Sequence, residues 1–173
     1  MPLRLPERPR SPVPAALAGA ALAAGAHAAY GAAVRATLRR IVRALHAGDH
    51  TPLLALYADD AVLVFPGDHS WGPEYRGKAE IEAFLRRFLA VGLRGDLGAV
   101  LTSGPPWATI LAVEFADEAR SPAGELLYTN RAVIVFRLRW GRIVHEEVYE
   151  DTQRVAAFDI ALGIAPPDPV PAA

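Results

Sequence analysis

The chain has 173 residues, of which 52% are hydrophobic, which is enough to bury one core but too little for two ordinary domains with linkers. A formal net charge of −1 without any basic run argues against a nucleic-acid partner. The sequence has no cysteine, which excludes disulfides, thiolate nucleophiles and thiolate zinc sites.

The two ends of the sequence predict little packed structure. Residues 1–33 are rich in Pro and Ala and outline only a poor secretory signal, so we expect a flexible leader on a cytoplasmic protein, with a cleaved signal as the alternative. Residues 164–173 are Pro-rich and predict an extended tail. No apolar run is long enough to predict a membrane-spanning helix. A single domain is therefore expected over residues 34–163.

The first half of that domain predicts helices around one strand. Apolar residues at helical spacing predict a helix from Val34 that ends at Gly48. Thr51 and Pro52 are suited to begin a second, short helix that reaches Tyr57. "AVLVF" (61–65) predicts a first strand, and a third helix is expected after the loop, ending near Gly92.

The second half predicts an antiparallel meander. Strands are expected at about 97–103, 107–115, 126–139 and 142–150, with a loop at 116–125 and a tight turn at Trp140–Gly141. Asp151 is placed to cap a final helix. Helices followed by such strands indicate the α+β class.

The order of three segments resembles the NTF2-like, or SnoaL-like, superfamily, which includes ketosteroid isomerase, limonene epoxide hydrolase and polyketide cyclases. The segments are "ALHAGDHTPLLALYADDAVLVFPG", "YRGKAEIEAFLRRFL" and "VIVFRLRWGRIVHEEVYEDT". The resemblance covers roughly residues 34 to 160. It implies a cone-shaped α+β barrel, in which a curved, mostly antiparallel sheet wraps over the helices and encloses a pocket.

The catalytic positions that the resemblance implies are mostly occupied by residues without suitable chemistry. Phe65 stands where ketosteroid isomerase has its general base, and Ile41 and Ile134 stand near its oxyanion donors. Glu114 could match the first Asp of limonene epoxide hydrolase, but Val148 replaces the Asp of the last strand. The mechanisms of these relatives are therefore not expected here.

Strand parity selects the polar residues that could face the pocket, because alternate side chains of a strand point to opposite faces. Tyr128 and Asn130 share the expected cavity side of the long strand with three apolar residues. On the last strand, alignment with the family turns Glu146, Val148 and Glu150 toward the pocket. Strand alternation alone would equally allow these three residues to face away from it. Inward glutamates in an apolar pocket would have raised pKa values and could act as acid and base.

The loop "LVFPGDHSWGPEYRGK" (63–78) supplies the remaining candidates. His69 could carry protons at the cavity mouth, or it could be an ordinary solvated loop residue. Trp71 and Trp107 could wall a hydrophobic ligand together with Phe65 and Glu114, or serve only as packing. His46 and His50 have helical metal-pair spacing, but Gly48 interrupts the helix between them, so no metal site is predicted.

Two functions follow from these residues. The first is a cofactor-independent enzyme that moves protons on a hydrophobic metabolite, as an isomerase, cyclase, dehydratase or hydrolase. His69 and an inward Glu146 or Glu150 would be its acid and base. The second is a non-catalytic binder of such a ligand, and an interaction module without a ligand is a third possibility. The outer face of the long strand alternates Arg131, Arg137 and Arg139 with valines and predicts a homodimer.

Overall fold

The computed structural model describes residues 13–72 and 74–164, with side chains from residue 25 onward. The chain divides into two compact units, Met1–Ala36 and Thr37–Ala173. Residues 1–12 and most of the predicted tail lie outside the described residues. The 34–163 domain boundaries stay predictions.

The helix α1 spans Val13–His46 and so begins well before the amphipathic segment that the sequence analysis identified. Its early part consists mainly of Ala, which has the highest helix propensity of all residues. In the first unit, residues 25–29 are exposed. Part of the segment expected to be a flexible leader is thus helical.

The second unit contains a six-stranded sheet with helices packed on one side. After α1, the elements are α2 (Thr51–Leu54), β1 (Tyr57–Val64), β2 (Glu74–Arg76), α3 (Gly77–Ala90), β3 (Leu93–Ser103), β4 (Thr109–Arg120), β5 (Leu126–Arg139), β6 (Arg142–Glu150) and α4 (Thr152–Ala161). The strand order is β2-β1-β6-β5-β4-β3, and every neighbouring pair is antiparallel except β1 and β6. The predicted α+β cone, with a curved and unclosed sheet, is confirmed.

Two boundaries differ from the sequence-based expectation. The helix α2 ends at Leu54, because Tyr57 already pairs with Ile143 of β6 as the first residue of β1. The strand β4 continues to Arg120, so the first half of the polar stretch expected to be a loop pairs with β5 instead. Both differences bring polar side chains onto the inner face of the sheet.

The expected cap of the last helix is present. The Asp151 carboxylate accepts hydrogen bonds from the backbone N–H groups of Gln153 and Arg154. Two donors at the first turn of α4 are thereby satisfied, and the helix is directed back across the sheet. Val155 and Phe158 of α4 are buried in the core as a result.

Candidate functional site

The second unit encloses a cavity of about 120 Å³ between α1, α3, α4 and the inner face of the sheet. Its wall is mostly aliphatic and aromatic, with a few titratable side chains between the apolar ones. The space exceeds that of a single water molecule many times over. An apolar pocket with a few convergent polar groups is the usual form of a small-molecule site.

The first polar group in the wall is the carboxyl of Glu146 on β6. It is buried, and Tyr57 at the start of β1 donates a hydrogen bond to its Oε2 from the phenol hydroxyl. Burial raises the pKa of Glu146 to about 7, and the hydrogen bond from Tyr57 opposes this rise. Burial, followed by the charge of Glu146, raises the pKa of Tyr57 well above its ordinary value. Near neutral pH the carboxyl can therefore both accept and release a proton, while the phenol stays protonated.

A second polar cluster comprises Tyr128, Asn130, Glu150 and Asp117. The Tyr128 hydroxyl donates to Glu150 Oε2 over 3.0 Å, and Asn130 Nδ2 lies 2.9 Å from the same oxygen. Burial raises the pKa of Glu150 to about 7, with a further contribution from the charge of Asp117. Burial and the nearby Asp96 raise the pKa of Asp117 to about 7 as well. The cluster therefore holds two carboxyl groups that are partly protonated at neutral pH.

The two polar groups stand at different positions along the cavity wall. Glu146 and Glu150 are four residues apart on β6, which corresponds to about 13 Å in an extended strand. Val148 and its β5 partner Ile134 fill the wall between them. The cavity thus has an apolar middle with a carboxyl group on either side.

Hydrogen bonds from charged side chains fasten the loop after β1 to the helices α3 and α4. The Asp159 carboxylate of α4 accepts hydrogen bonds from the backbone N–H and the hydroxyl of Ser70, both over 2.6 Å. Arg87 of α3 donates to the Ser70 carbonyl over 2.7 Å and also to its hydroxyl. The loop is therefore tied to two helices, and Trp71 becomes part of the cavity wall.

His69 does not reach the cavity wall in this arrangement. Its ring is buried, lies 4.6 Å from the Phe65 ring between centroids, and has Nε2 3.1 Å from the Pro66 carbonyl oxygen. Gly67 leaves the room for it, since a Cβ there would stand 2.7 Å from the imidazole. His69 thus lies behind Phe65 and not at the cavity mouth, where it was expected.

The other sequence-predicted site residues divide into two sets. The structure places Phe65, Trp71, Tyr128, Glu146, Val148 and Glu150 in the cavity wall, and Asn130 is hydrogen-bonded to two of them. Glu114 instead lies exposed on the opposite face of the sheet. Trp107 is also exposed and packs against Trp140 in the turn after β5, with ring centroids 5.8 Å apart. Neither of these two side chains belongs to the cavity wall, and the roles of the others stay predictions.

Two residues of the site were missed by sequence reasoning. Tyr57 was assigned to the end of a helix, and Asp117 was assigned to a loop. For Asp117 a signal existed, because Val113, Phe115, Asp117 and Ala119 alternate with the period of a strand. For Tyr57 no local pattern indicates that the chain turns into β1 at this residue.

The described part of the chain was also searched for clustered metal ligands and for membrane-spanning helices. Among residues 13–72 and 74–164, no group of three or more His, Asp or Glu side chains is arranged to hold a metal ion. No helix in these ranges is long and apolar enough to cross a membrane.

Comparisons with known proteins agree with the fold. A family model described as a SnoaL-like domain matches residues 38–146. An NTF2-like protein of unknown function from Burkholderia pseudomallei is 25% identical, with a TM-score of 0.59 over 70% of this chain and 95% of its own. A protein with a cystatin-like fold from Xanthomonas campestris is 20% identical, with a TM-score of 0.59 over 70% and 94%.

A third similar structure is that of TerC co-crystallised with polyporic acid. It is 22% identical, with a TM-score of 0.56 over 68% of this chain and 90% of its own. No curated protein sequence matches the chain at a significant level.

Proposed function

The chain belongs to the SnoaL-like domain family, and on that premise we propose that it is a cofactor-independent enzyme that moves protons on a hydrophobic small molecule. The observation that carries this proposal is the carboxyl of Glu146, which is buried in an apolar cavity wall with its pKa near 7. A general base works best when its pKa lies near the operating pH. Burial raises the pKa of Glu146 into that range.

The chemistry that suits Glu146 is proton transfer at a carbon next to an electron-withdrawing group. The carboxylate takes the proton, the electron pair of the C–H bond moves into the substrate, and the resulting carboxylic acid returns the proton to the same or another atom. Tyr57 holds the carboxyl in one orientation through its hydrogen bond. The apolar middle of the cavity favours a ligand that is mostly hydrocarbon.

Glu150 is a second group for proton transfer, at the other polar cluster. Its carboxyl also has a pKa near 7 and is oriented by Tyr128 and Asn130. Two such groups on one wall suit a reaction in which a proton leaves one end of the ligand and another is added farther along. His69 is omitted from this scheme because its ring lies behind Phe65.

A non-catalytic binder is the second candidate. It is favoured by Phe65, Ile134 and Val148, which all lie in the cavity wall and bring apolar side chains to the positions where the catalytic groups of relatives are expected. Such a protein would hold its ligand through apolar contact without transforming it. The experiment below separates the two functions.

The test is hydrogen–deuterium exchange into 1-tetralone, a mostly apolar bicyclic ketone with acidic C–H bonds, followed by NMR in D₂O. We expect the protein to accelerate exchange next to the carbonyl, and Glu146→Gln to reduce this rate by about 10²- to 10⁴-fold. Glu125→Gln, in the exposed loop between β4 and β5, is the matched control and should retain the full rate. His69→Ala should also retain it, since the imidazole has no access to the ligand.

Two results would count against this assignment. Exchange that is unchanged by Glu146→Gln would remove Glu146 from the mechanism. Binding of 1-tetralone without any acceleration over buffer would favour the binder.

We also infer a homodimer through the outer face of the sheet. In the register of β4, β5 and β6, Glu114, Val133 and Tyr149 form one row across the sheet. Val133 and Tyr149 are 39% and 50% exposed. Arg131 and Arg137 of β5 point to the same side as Glu114, so a second copy related by a two-fold axis could pair unlike charges around an apolar centre.

A further inference from the structure

Asp117 of β4 has a carboxyl in the cavity wall that is not held by another side chain. It lines the cavity and is half-buried. In the described part of the chain, its oxygens accept no hydrogen bond and form no salt bridge. The other two carboxyls of the wall, Glu146 and Glu150, accept hydrogen bonds from Tyr57 and Tyr128. Asp117 is therefore the carboxyl of the wall that is free to accept from a ligand.

Gly95 of β3 makes room for this carboxyl. Gly95 and Asp117 are directly opposite in the register of β3 and β4, so both face the inner side of the sheet. A Cβ at Gly95 would stand 2.7 Å from Asp117 Oδ1 and 3.1 Å from Phe115 Cδ1. Any side chain at this position would thus push the carboxyl away. Because Gly95 has none, the carboxyl lies across the backbone of β3.

This end of the cavity is open to solvent. Of the lining residues here, Arg94 is exposed, and His46, Gly95 and Asp117 are half-buried. At the far end, Glu146 is buried. A ligand that enters through this opening inserts its apolar part first. Its polar group then stays beside Asp117.

The basic side chains near the opening have other neighbours. His46 Nε2 lies 3.2 Å from a backbone carbonyl oxygen of β3 and 3.9 Å from the Asp96 carboxylate. Arg94 is directly opposite Glu118 in the register, and by strand alternation its side chain faces the outer side of the sheet. Among the described residues, no cation pairs with Asp117.

The two carboxyls of this polar cluster would both be stabilised by a cation. Burial raises the pKa of Asp117 to about 7, and the charge of Asp96 adds to this rise. Burial also raises the pKa of Glu150 to about 7, and the charge of Asp117 contributes further. A bound cation favours the ionised form of a nearby carboxyl, so its charge would oppose both increases.

We propose that Asp117 binds the protonated amino group of an amphipathic amine whose hydrocarbon part fills the cavity. The ammonium donates a charge-assisted hydrogen bond to Asp117 at the opening, while Glu150 keeps its bonds from Tyr128 and Asn130. An alkylammonium suits this place because its hydrocarbon stem continues into the apolar middle of the cavity. The inference rests on the proposed function in one respect, since the ligand occupies the same cavity in both. It narrows the ligands to apolar molecules with a basic nitrogen at one end.

The test compares benzylamine with benzyl alcohol and ethylbenzene, which share a benzene ring but end in an ammonium, a hydroxyl and a methyl group. A cavity of about 120 Å³ suits a ring of this size, since an apolar cavity of roughly 150 Å³ in another protein binds benzene. Dissociation constants are measured by NMR titration from pH 6 to pH 8, where benzylamine stays protonated. We expect its affinity to rise about tenfold over this range, because a carboxyl with a pKa of about 7 becomes ionised. The affinities of the two neutral probes should change less than about twofold.

Asp117→Asn is the decisive variant, because it keeps the shape of the side chain and removes its charge. It should weaken benzylamine binding at pH 8 about tenfold and change ethylbenzene binding less than about twofold. Asp68→Asn, exposed in the loop after β1, is the matched control and should alter neither affinity. The pH series on Asp117→Asn also separates Asp117 from His46 and Asp96, since any contribution of those two groups persists in the variant. If the variant fails to fold, the pH series on the intact chain decides.

Several results would overturn the inference. One is an affinity for benzylamine that is equal at pH 6 and pH 8 or unchanged in Asp117→Asn. Another is benzyl alcohol that binds as tightly as benzylamine, and a third is no binding of benzylamine at millimolar concentration. Deuterium exchange into 1-tetralone is measured separately on the same protein. Exchange without amine binding would refute this inference and leave the enzyme, whereas amine binding without exchange would refute the enzyme and leave the amine site.

Discussion

Glu146→Gln should make the protein more stable above neutral pH. The pKa of Glu146 is raised from 4.5 to about 7 in the folded chain, so the folded state binds the proton more tightly than the unfolded state does. The buried carboxyl therefore costs little at pH 4.5 and below, and its cost grows as the pH rises towards 7. One pKa unit equals about 1.36 kcal/mol, which gives a full cost of about 3 kcal/mol above pH 7.

Glutamine removes this cost without removing the hydrogen bond, since its amide oxygen can accept from Tyr57 as the carboxyl does. We expect the difference in free energy of unfolding between variant and parent to increase by roughly 2–3 kcal/mol from pH 5 to pH 8. Urea unfolding at several pH values in this range measures the difference. Glu125→Gln, in the exposed loop between β4 and β5, provides the control, and its difference should not change with pH.

The comparison with the parent protein cancels the other raised groups. Glu150 and Asp117 also have pKa values near 7, so the parent itself should lose stability in the same pH range for more than one reason. Only the part of this pH-dependent loss of stability that is absent from Glu146→Gln is caused by Glu146. A difference that does not change with pH would show that this carboxyl ionises as it does in water, and the proposed general base would lose its physical basis.

Two further predictions concern the loop and the outer face of the sheet. Asp159→Ala should lower the free energy of unfolding by about 2–3 kcal/mol in urea titrations, because two charge-assisted hydrogen bonds to Ser70 are lost, whereas Asp68→Ala at an exposed position should change it by less than about 0.5 kcal/mol. Equal effects would mean that the loop is not held by Asp159. Val133→Glu should convert a micromolar dimer to monomer in sedimentation velocity, since it buries a charge at the inferred interface. A chain that is monomeric before substitution would refute that interface.

Much of the sheet was predictable because its strands alternate in polarity. The strands β5 and β6 have the bounds expected from the pattern, Leu126–Arg139 and Arg142–Glu150. The tight turn at Trp140–Gly141, where both residues have positive φ, ends β5 and precedes β6. Local pattern and turn chemistry agree here, so sequence reasoning succeeds.

The candidate site was harder to predict because its contacts join distant parts of the chain. The stretch around Asp117 is polar and resembles a loop, and only pairing with β5 makes it a strand. His69 is polar and follows a Pro-Gly turn, which suggests exposure, yet Phe65 and Gly67 create a buried place for its ring. Such outcomes depend on tertiary packing, which overrides local preference.

The wide sequence separation within the site also determines when it can form during synthesis. The bond from Tyr57 to Glu146 and the bond from Ser70 to Asp159 each join residues 89 positions apart. At a translation rate of roughly 5–20 residues per second, the first partner waits about 4–18 seconds for the second to be made. During that interval α3 can pack against Phe65 and Trp71, but β5, β6 and α4 cannot yet cover them. The nascent chain therefore presents part of two large aromatic side chains to chaperones or to other nascent chains until α4 has emerged.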